Sequence, residues 1–138
     1  MEVDPDSVIM LDGPIFGFES YTRFALIPAP DAPPFVWLQS LEEKRLAFPV
    51  VSARELAVSY DVNDELLSRF AADNADEFDF WLIVTVPMDG GQLRVNLRAP
   101  LAVHRPSSTA AQVIMCDDYP IRRTLALEPR ENNREATT

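Results

Sequence analysis

Short apolar runs rich in Val, Ile, Leu and Phe recur along the chain, separated by prolines and polar clusters. Runs bounded in this way predict the strands of an antiparallel sheet. They fall near Val8–Leu11, Thr22–Pro28, Phe35–Leu41, Leu46–Val51, Phe78–Pro87, Leu93–Ala99, Leu101–Arg105 and Ala111–Cys116. Phe80–Val86 is apolar without a break, which predicts a central strand covered on both faces. The next run alternates. Leu93, Val95 and Leu97 fall on one side, and Arg94, Asn96 and Arg98 on the other. Between the two lies Met88-Asp-Gly-Gly-Gln92, a hairpin signal, because Asp-Gly and Gly-Gly accept positive φ. Pro100 removes a ladder donor and restricts Ala99, so the chain should bend or bulge there. Bends of that kind let a small sheet curl toward a barrel.

One stretch reads as a helix, about Asp64–Ala72. Asn63 or Asp61 can cap it, Asp64 and Glu65 suit its positive end, and Leu66, Leu67, Phe70 and Ala71 give it an apolar face. Ala53–Leu56 reads as a short helical turn. The expected fold is therefore mainly β, a single compact antiparallel barrel-like domain with one or two short helices. It should occupy residues 1–125. Residues 126–138 are polar, lack an apolar pattern and read as a disordered tail.

A chain of 138 residues, 47% of them apolar, suits one domain with a sizeable core. No apolar run approaches the ~20 residues of a membrane span. The acidic start, MEVDPDSV, lacks the basic region of a signal peptide. The lone Cys116 has no internal disulfide partner, which suits a cytoplasmic protein. The formal net charge is −10. That weighs against direct nucleic-acid binding and against anionic membranes, and suits solubility or a basic partner. The charge is uneven. Asp61, Asp64, Glu65, Asp73, Asp76, Glu77 and Asp79 face a single base, Arg69, across residues 61–79. Such a stretch is either a solvated helix and loop or a docking face.

Catalytic groups are scarce. The single histidine, His104, alternates with Val103 on its strand and reads as a surface or edge-strand residue. No Cys or second His stands at metal-ligand spacing, so neither a metal nor another cofactor is expected. Ser107-Ser108-Thr109, after Pro106, reads as a hairpin turn and not as a nucleophile. Asp117 and Asp118 would diverge on a strand, and more simply cap a turn before Tyr119-Pro120. The chain is thus read as a binding protein and not an enzyme. Phe80 and Trp81 read as core. Trp37 shares a strand side with Gln39 and Phe35, and a tryptophan beside a polar residue makes a credible exposed anchor for a protein partner.

Several segments, in order, resemble the FliW family of flagellar assembly factors. They are Gly13-Pro-Ile-Phe-Gly-Phe-Glu19, Phe24-Ala-Leu-Ile-Pro28, Phe35-Val-Trp-Leu-Gln-Ser40, Leu46-Ala-Phe-Pro-Val-Val51, Tyr60, Leu82-Ile-Val-Thr-Val-Pro87, Asn96-Leu-Arg-Ala-Pro100, Gln112-Val-Ile114 and Asp118-Tyr-Pro-Ile-Arg122. Each is weak alone; their order and span, roughly Leu11 to Leu125, make the set specific. Residues 107–111 lack the basic and glycine residues of the family pattern, and residues 130–138 have no counterpart in it. The resemblance implies a β-barrel-like domain without enzymatic activity. It implies two protein partners. One is flagellin, bound in the cytoplasm before export. The other is CsrA, a basic RNA-binding regulator whose repression of flagellin messenger RNA is relieved on binding, with flagellin competing for the same protein. Trp37, Gln39, Asn96, Arg98, Asp118, Tyr119, Asp73, Asp76, Glu77 and Asp79 are the candidate partner contacts. The free protein is expected to be a monomer. The alternatives are a small enzyme with an acidic site, and a β-sheet module for another single protein or for a carbohydrate stacked on Trp37 and Tyr119.

Overall fold

The computed structural model describes residues 7–12, 21–85, 92–115, 119 and 123–124. Among them the strands are β1 (Val8–Leu11), β2 (Arg23–Pro28), β3 (Val36–Ser40), β4 (Ala47–Ser52), β5 (Phe78–Thr85), β6 (Arg94–Val95), β7 (Leu101–His104), β8 (Thr109–Gln112) and β9 (Arg123–Thr124). Helix α1 (Asp64–Arg69) lies between β4 and β5, with 3-10 turns at Ala53–Leu56 and Ala75–Glu77. Pairing runs β4-β3-β2-β1-β8-β7-β5, and β4 also pairs with β5, so seven strands close into a barrel. The expected β-barrel is what forms. One pairing departs from the antiparallel expectation, because β1 and β8 run parallel, Met10 opposite Thr109 and Leu11 opposite Ala110.

The period-two pattern fills this ring. Ile9, Leu11, Phe24, Leu38, Val50, Leu101, Val103 and Ala110 form the interior cluster, with Trp81 and Ile83 packed against it. Alternate positions of β5 point outward to two further clusters. Leu82 and Val84 meet Val51, Tyr60, Val95 and Leu97. Phe78 meets Ala102, Ala111, Leu66 of α1 and Phe70 just beyond its end. The unbroken apolar run on β5 is therefore covered on both faces, as its composition requires.

Helix α1 starts where its side chains dictate. The Asn63 side chain accepts a hydrogen bond from the Leu66 N–H at 2.9 Å, and Asp64 and Glu65 occupy the first turn. It stops at Arg69, short of the expected Ala72. Ala71 turns left-handed at φ 52°. The Ala71 N–H then reaches the Ser68 carbonyl and the Ala72 N–H the Leu67 carbonyl, a Schellman closure made with alanine instead of glycine. Ala71 consequently leaves the apolar face and is exposed.

Two expected strands are redrawn. In place of Leu93–Ala99, only Arg94 and Val95 join a ladder. The Asn96 Oδ1 accepts the N–H groups of Arg98 (2.9 Å) and Ala99 (3.2 Å), which bends the chain ahead of Pro100. Burial still alternates, with Val95, Leu97 and Ala99 buried and Arg94 exposed. In place of Ala111–Cys116, β8 starts at Thr109 and ends at Gln112. Val113 and Met115 donate to the Pro100 and Arg98 carbonyls beyond its end. The hairpin at Met88–Gly91, Cys116 and the tail at 126–138 lie outside the described residues.

Left-handed backbone costs a non-glycine residue roughly 1–2 kcal/mol. Ala71→Gly is therefore expected to raise stability by about 1 kcal/mol, once the added freedom of the unfolded chain is subtracted. The urea midpoint should shift upward with an unchanged slope.

Candidate functional site

The outward side of β3 carries Trp37 and Gln39, while Leu38 and Ser40 point inward. Trp37 is 44% exposed, unusual for so large an apolar side chain. Across the ladder it faces Ile27 on β2 and Pro49 on β4. Neither outer cluster includes any of these three residues. Phe35 does not join them. It precedes the strand and packs against the cluster outside β5. Gln39 has internal work, since its Nε2 donates to the carbonyls of Ser40, Lys44 and Leu46 at 3.0–3.2 Å. It therefore holds the turn from β3 to β4.

The acidic stretch divides into engaged and exposed groups. Asn74 caps the 3-10 turn at Ala75–Glu77, and Glu77 reaches back, so the pair forms a capping box. The Glu77 Oε2 accepts the N–H groups of Asp73 and Asn74. Its Oε1 lies 2.7 Å from the Nε2 of His104, whose Nδ1 lies 2.6 Å from the Ser107 Oγ. Asp79 pairs with Arg105 at 2.7 Å and Arg54 at 3.7 Å. Arg105 also donates to the Asp76 carbonyl. Asp73 and Asp76 keep exposed side chains.

His104 corrects the sequence expectation. It is neither on the surface nor on an edge strand. It is 3% exposed, on a strand flanked by β5 and β8, against the rings of Phe70 and Phe78, which also touch each other. A buried imidazole needs polar partners for both nitrogens, and Glu77 and Ser107 supply them. The Asn74-x-x-Glu77 spacing was the sequence signal for this turn. Nothing local links Glu77 to a histidine 27 positions on. Ser107 lies in the β7–β8 turn, where Ser108 takes φ 55°. The hairpin expected there forms.

The third group gathers around two tyrosines. Tyr60 donates its hydroxyl to the Leu97 carbonyl at 2.5 Å. Its ring centroid lies 4.8 Å from that of Tyr119, and burial, with Tyr119 beside it, pushes its phenol well above the ordinary value of 10.0. The Tyr119 hydroxyl donates to the Ser59 carbonyl, and its own carbonyl accepts from the Arg98 Nε at 2.9 Å. Asn96 is used in the adjoining turn. Of the candidate contacts, Asn96, Arg98 and Tyr119 are thus brought together, and Trp37 with Gln39 forms a separate face. Asp117 and Asp118 lie outside the described residues. No group of three or more His, Cys, Asp or Glu side chains is placed to hold a metal among the described residues. No helix among them is long and apolar enough to cross a membrane.

Comparison with known proteins adds the relationship. A family model described as FliW protein matches residues 1–125. The flagellar assembly factor FliW of Caldicellulosiruptor saccharolyticus is 32% identical over 125 residues, covering 88% of this chain and 82% of that protein. That of Treponema denticola is 30% identical over 119 residues, covering 85% and 80%. A crystal structure of a flagellar assembly factor FliW superposes with a TM-score of 0.79 at 22% identity, covering 93% of this chain and 92% of that one.

The Glu77 carboxyl is held below its ordinary value of 4.5, first by the hydrogen bond with His104 and then by the Asp73 and Asn74 N–H groups, against some desolvation. A depressed carboxylate contributes stability above its unfolded value and loses it as pH falls through the folded one. Thermal midpoints should therefore drop from about pH 5 downward. Glu77→Gln is expected to flatten that drop and to lower the midpoint at neutral pH.

Proposed function

The chain belongs to the FliW family of flagellar assembly factors, and we propose that within that role it acts as a partner switch in the cytoplasm. It binds the regulator CsrA and relieves repression of flagellin messenger RNA. It also binds flagellin before export. The observation that carries this reading is the exposed Trp37, on a strand of the closed ring, with Gln39 on the same outward side tied into the adjoining turn. A large exposed aromatic on a sheet face is suited to anchor a protein partner.

Charge supplies the second element. A protein of net charge −10 is attracted to a basic regulator, and the attraction acts chiefly on the rate of encounter. Asp73 and Asp76, exposed next to the Glu77–His104 pair, carry charge that no salt bridge among the described residues engages. Once docked, such charge would repel RNA phosphate without covering the RNA site. The protein acts through binding, as a monomer when free, and not through catalysis. Its one histidine is enclosed by Phe70, Phe78, Glu77 and Ser107. A carbohydrate module is less well supported, because the Tyr119 ring packs on Tyr60 and is no open platform.

Titration with purified CsrA, repeated with flagellin as competitor, tests the reading. Trp37→Ala is expected to keep the fold by circular dichroism and to weaken at least one partner more than about tenfold. Unchanged affinity for both would overturn the role of this face. Asp73→Asn with Asp76→Asn should slow association with CsrA at low salt and match wild type at high salt. Equal rates at low salt would remove the steering role.

A further inference from the structure

A second surface stands apart from Trp37. A cleft of about 270 Å³ runs between α1 and the segment that follows β8. Leu66 and Val113 line its apolar part. One lip is Ile114, 61% exposed and the most exposed of the large apolar side chains among the described residues. The other lip carries Asp61 and Glu65, both exposed. The cation in the lining, Arg69, is already engaged. Its Nε and Nη2 bond the Asp12 carboxylate and carbonyl at 3.2 and 2.7 Å.

We propose that this cleft docks a lysine- or arginine-bearing segment of a protein partner. An apolar wall facing two carboxylates matches one kind of side chain especially well. The methylene stem of Lys or Arg can cover Ile114 and Val113 while its charged head reaches Glu65 and Asp61. A purely apolar occupant would desolvate those carboxylates without compensation, and an acidic one would be repelled. The cleft and Trp37 lie on opposite sides of the barrel, since α1 covers β7 and β8 while β2 and β3 close the far side of the ring. The assignment goes beyond the partner-switch reading and does not depend on which basic protein supplies the segment.

The test is a titration of the full-length, isotope-labelled protein with a synthetic peptide of alternating leucine and arginine, followed by amide chemical shifts. Shifts should cluster at residues 61–66 and 112–115. Asp61→Lys with Glu65→Lys should weaken binding at least about tenfold. Asp73→Lys with Asp76→Lys, the same change in net charge elsewhere, should weaken it far less. Ile114→Ser should weaken binding with the charges intact, which shows that the apolar lip takes part. Absent binding, shifts spread over the surface, or equal loss in the two charge-reversed variants would overturn the proposal. None of those results bears on Trp37, and a failure of CsrA or flagellin to bind would leave this outcome standing.

Discussion

Seven strands cannot close into a ring with every neighbour antiparallel. Alternation around an odd ring forces one parallel pair, and here it falls between β1 and β8. Parallel pairing is slightly weaker per residue, so the seam needs support. Inside the barrel the support is Ala110, small and fully buried against the core. Outside it is a clamp. The Asp12 N–H donates to the Ala110 carbonyl at 2.6 Å, and Arg69 of α1 grips Asp12 by both carboxylate and carbonyl. The helix is thereby fastened to the one place where the ring departs from alternation.

Closure also decides what the outside looks like. The seven-strand ring itself has no free edge to offer a partner, so recognition on the ring uses side chains on its outer faces. Those faces are covered unevenly. Helix α1 lies over Phe78, Ala102 and Ala111, where two alanines let it approach closely. Tyr60, the 3-10 turn at Ala53–Leu56, Val95 of β6 and Leu97 cover Leu82 and Val84. Trp37 belongs to neither cluster. Its exposure follows from the architecture, and the anchor proposed for a protein partner is the large side chain that neither outer cluster covers.

Much of this was legible in the sequence because it is local. The strand at Val8–Leu11, the turn at Ala53–Leu56 and the two-sided cover of β5 follow from periodicity and propensity alone. So does the outward side of β3, with Trp37 and Gln39 together. What failed to show were the effects of distant residues. His104 has the pattern of a surface histidine until Glu77, across the β5–β7 pairing, meets it. Leu93–Ala99 has the alternation of a long strand, and its burial does alternate. The Asn96 side chain, however, captures two backbone N–H groups and takes the segment off the ladder. Helix α1 loses its last residues to a closure that glycine would have announced and alanine conceals.

The acidic stretch shows why a charge count and a charge map differ. Asp79 lies between two arginines, and its field is largely cancelled at short range. Glu77 is bonded to a histidine and two N–H groups, so it is fixed in place. Moving either carboxylate would disturb the fold before it disturbed a partner. The groups that can meet a partner at little structural cost are the exposed ones, Asp61, Asp64 and Glu65 at the start of α1, and Asp73 and Asp76 beyond its end. A field set by those five is directional, and it points away from the barrel face that carries Trp37. In the proposed partner switch, long-range attraction and short-range anchoring would therefore come from different parts of the surface, and encounter and grip could be altered separately.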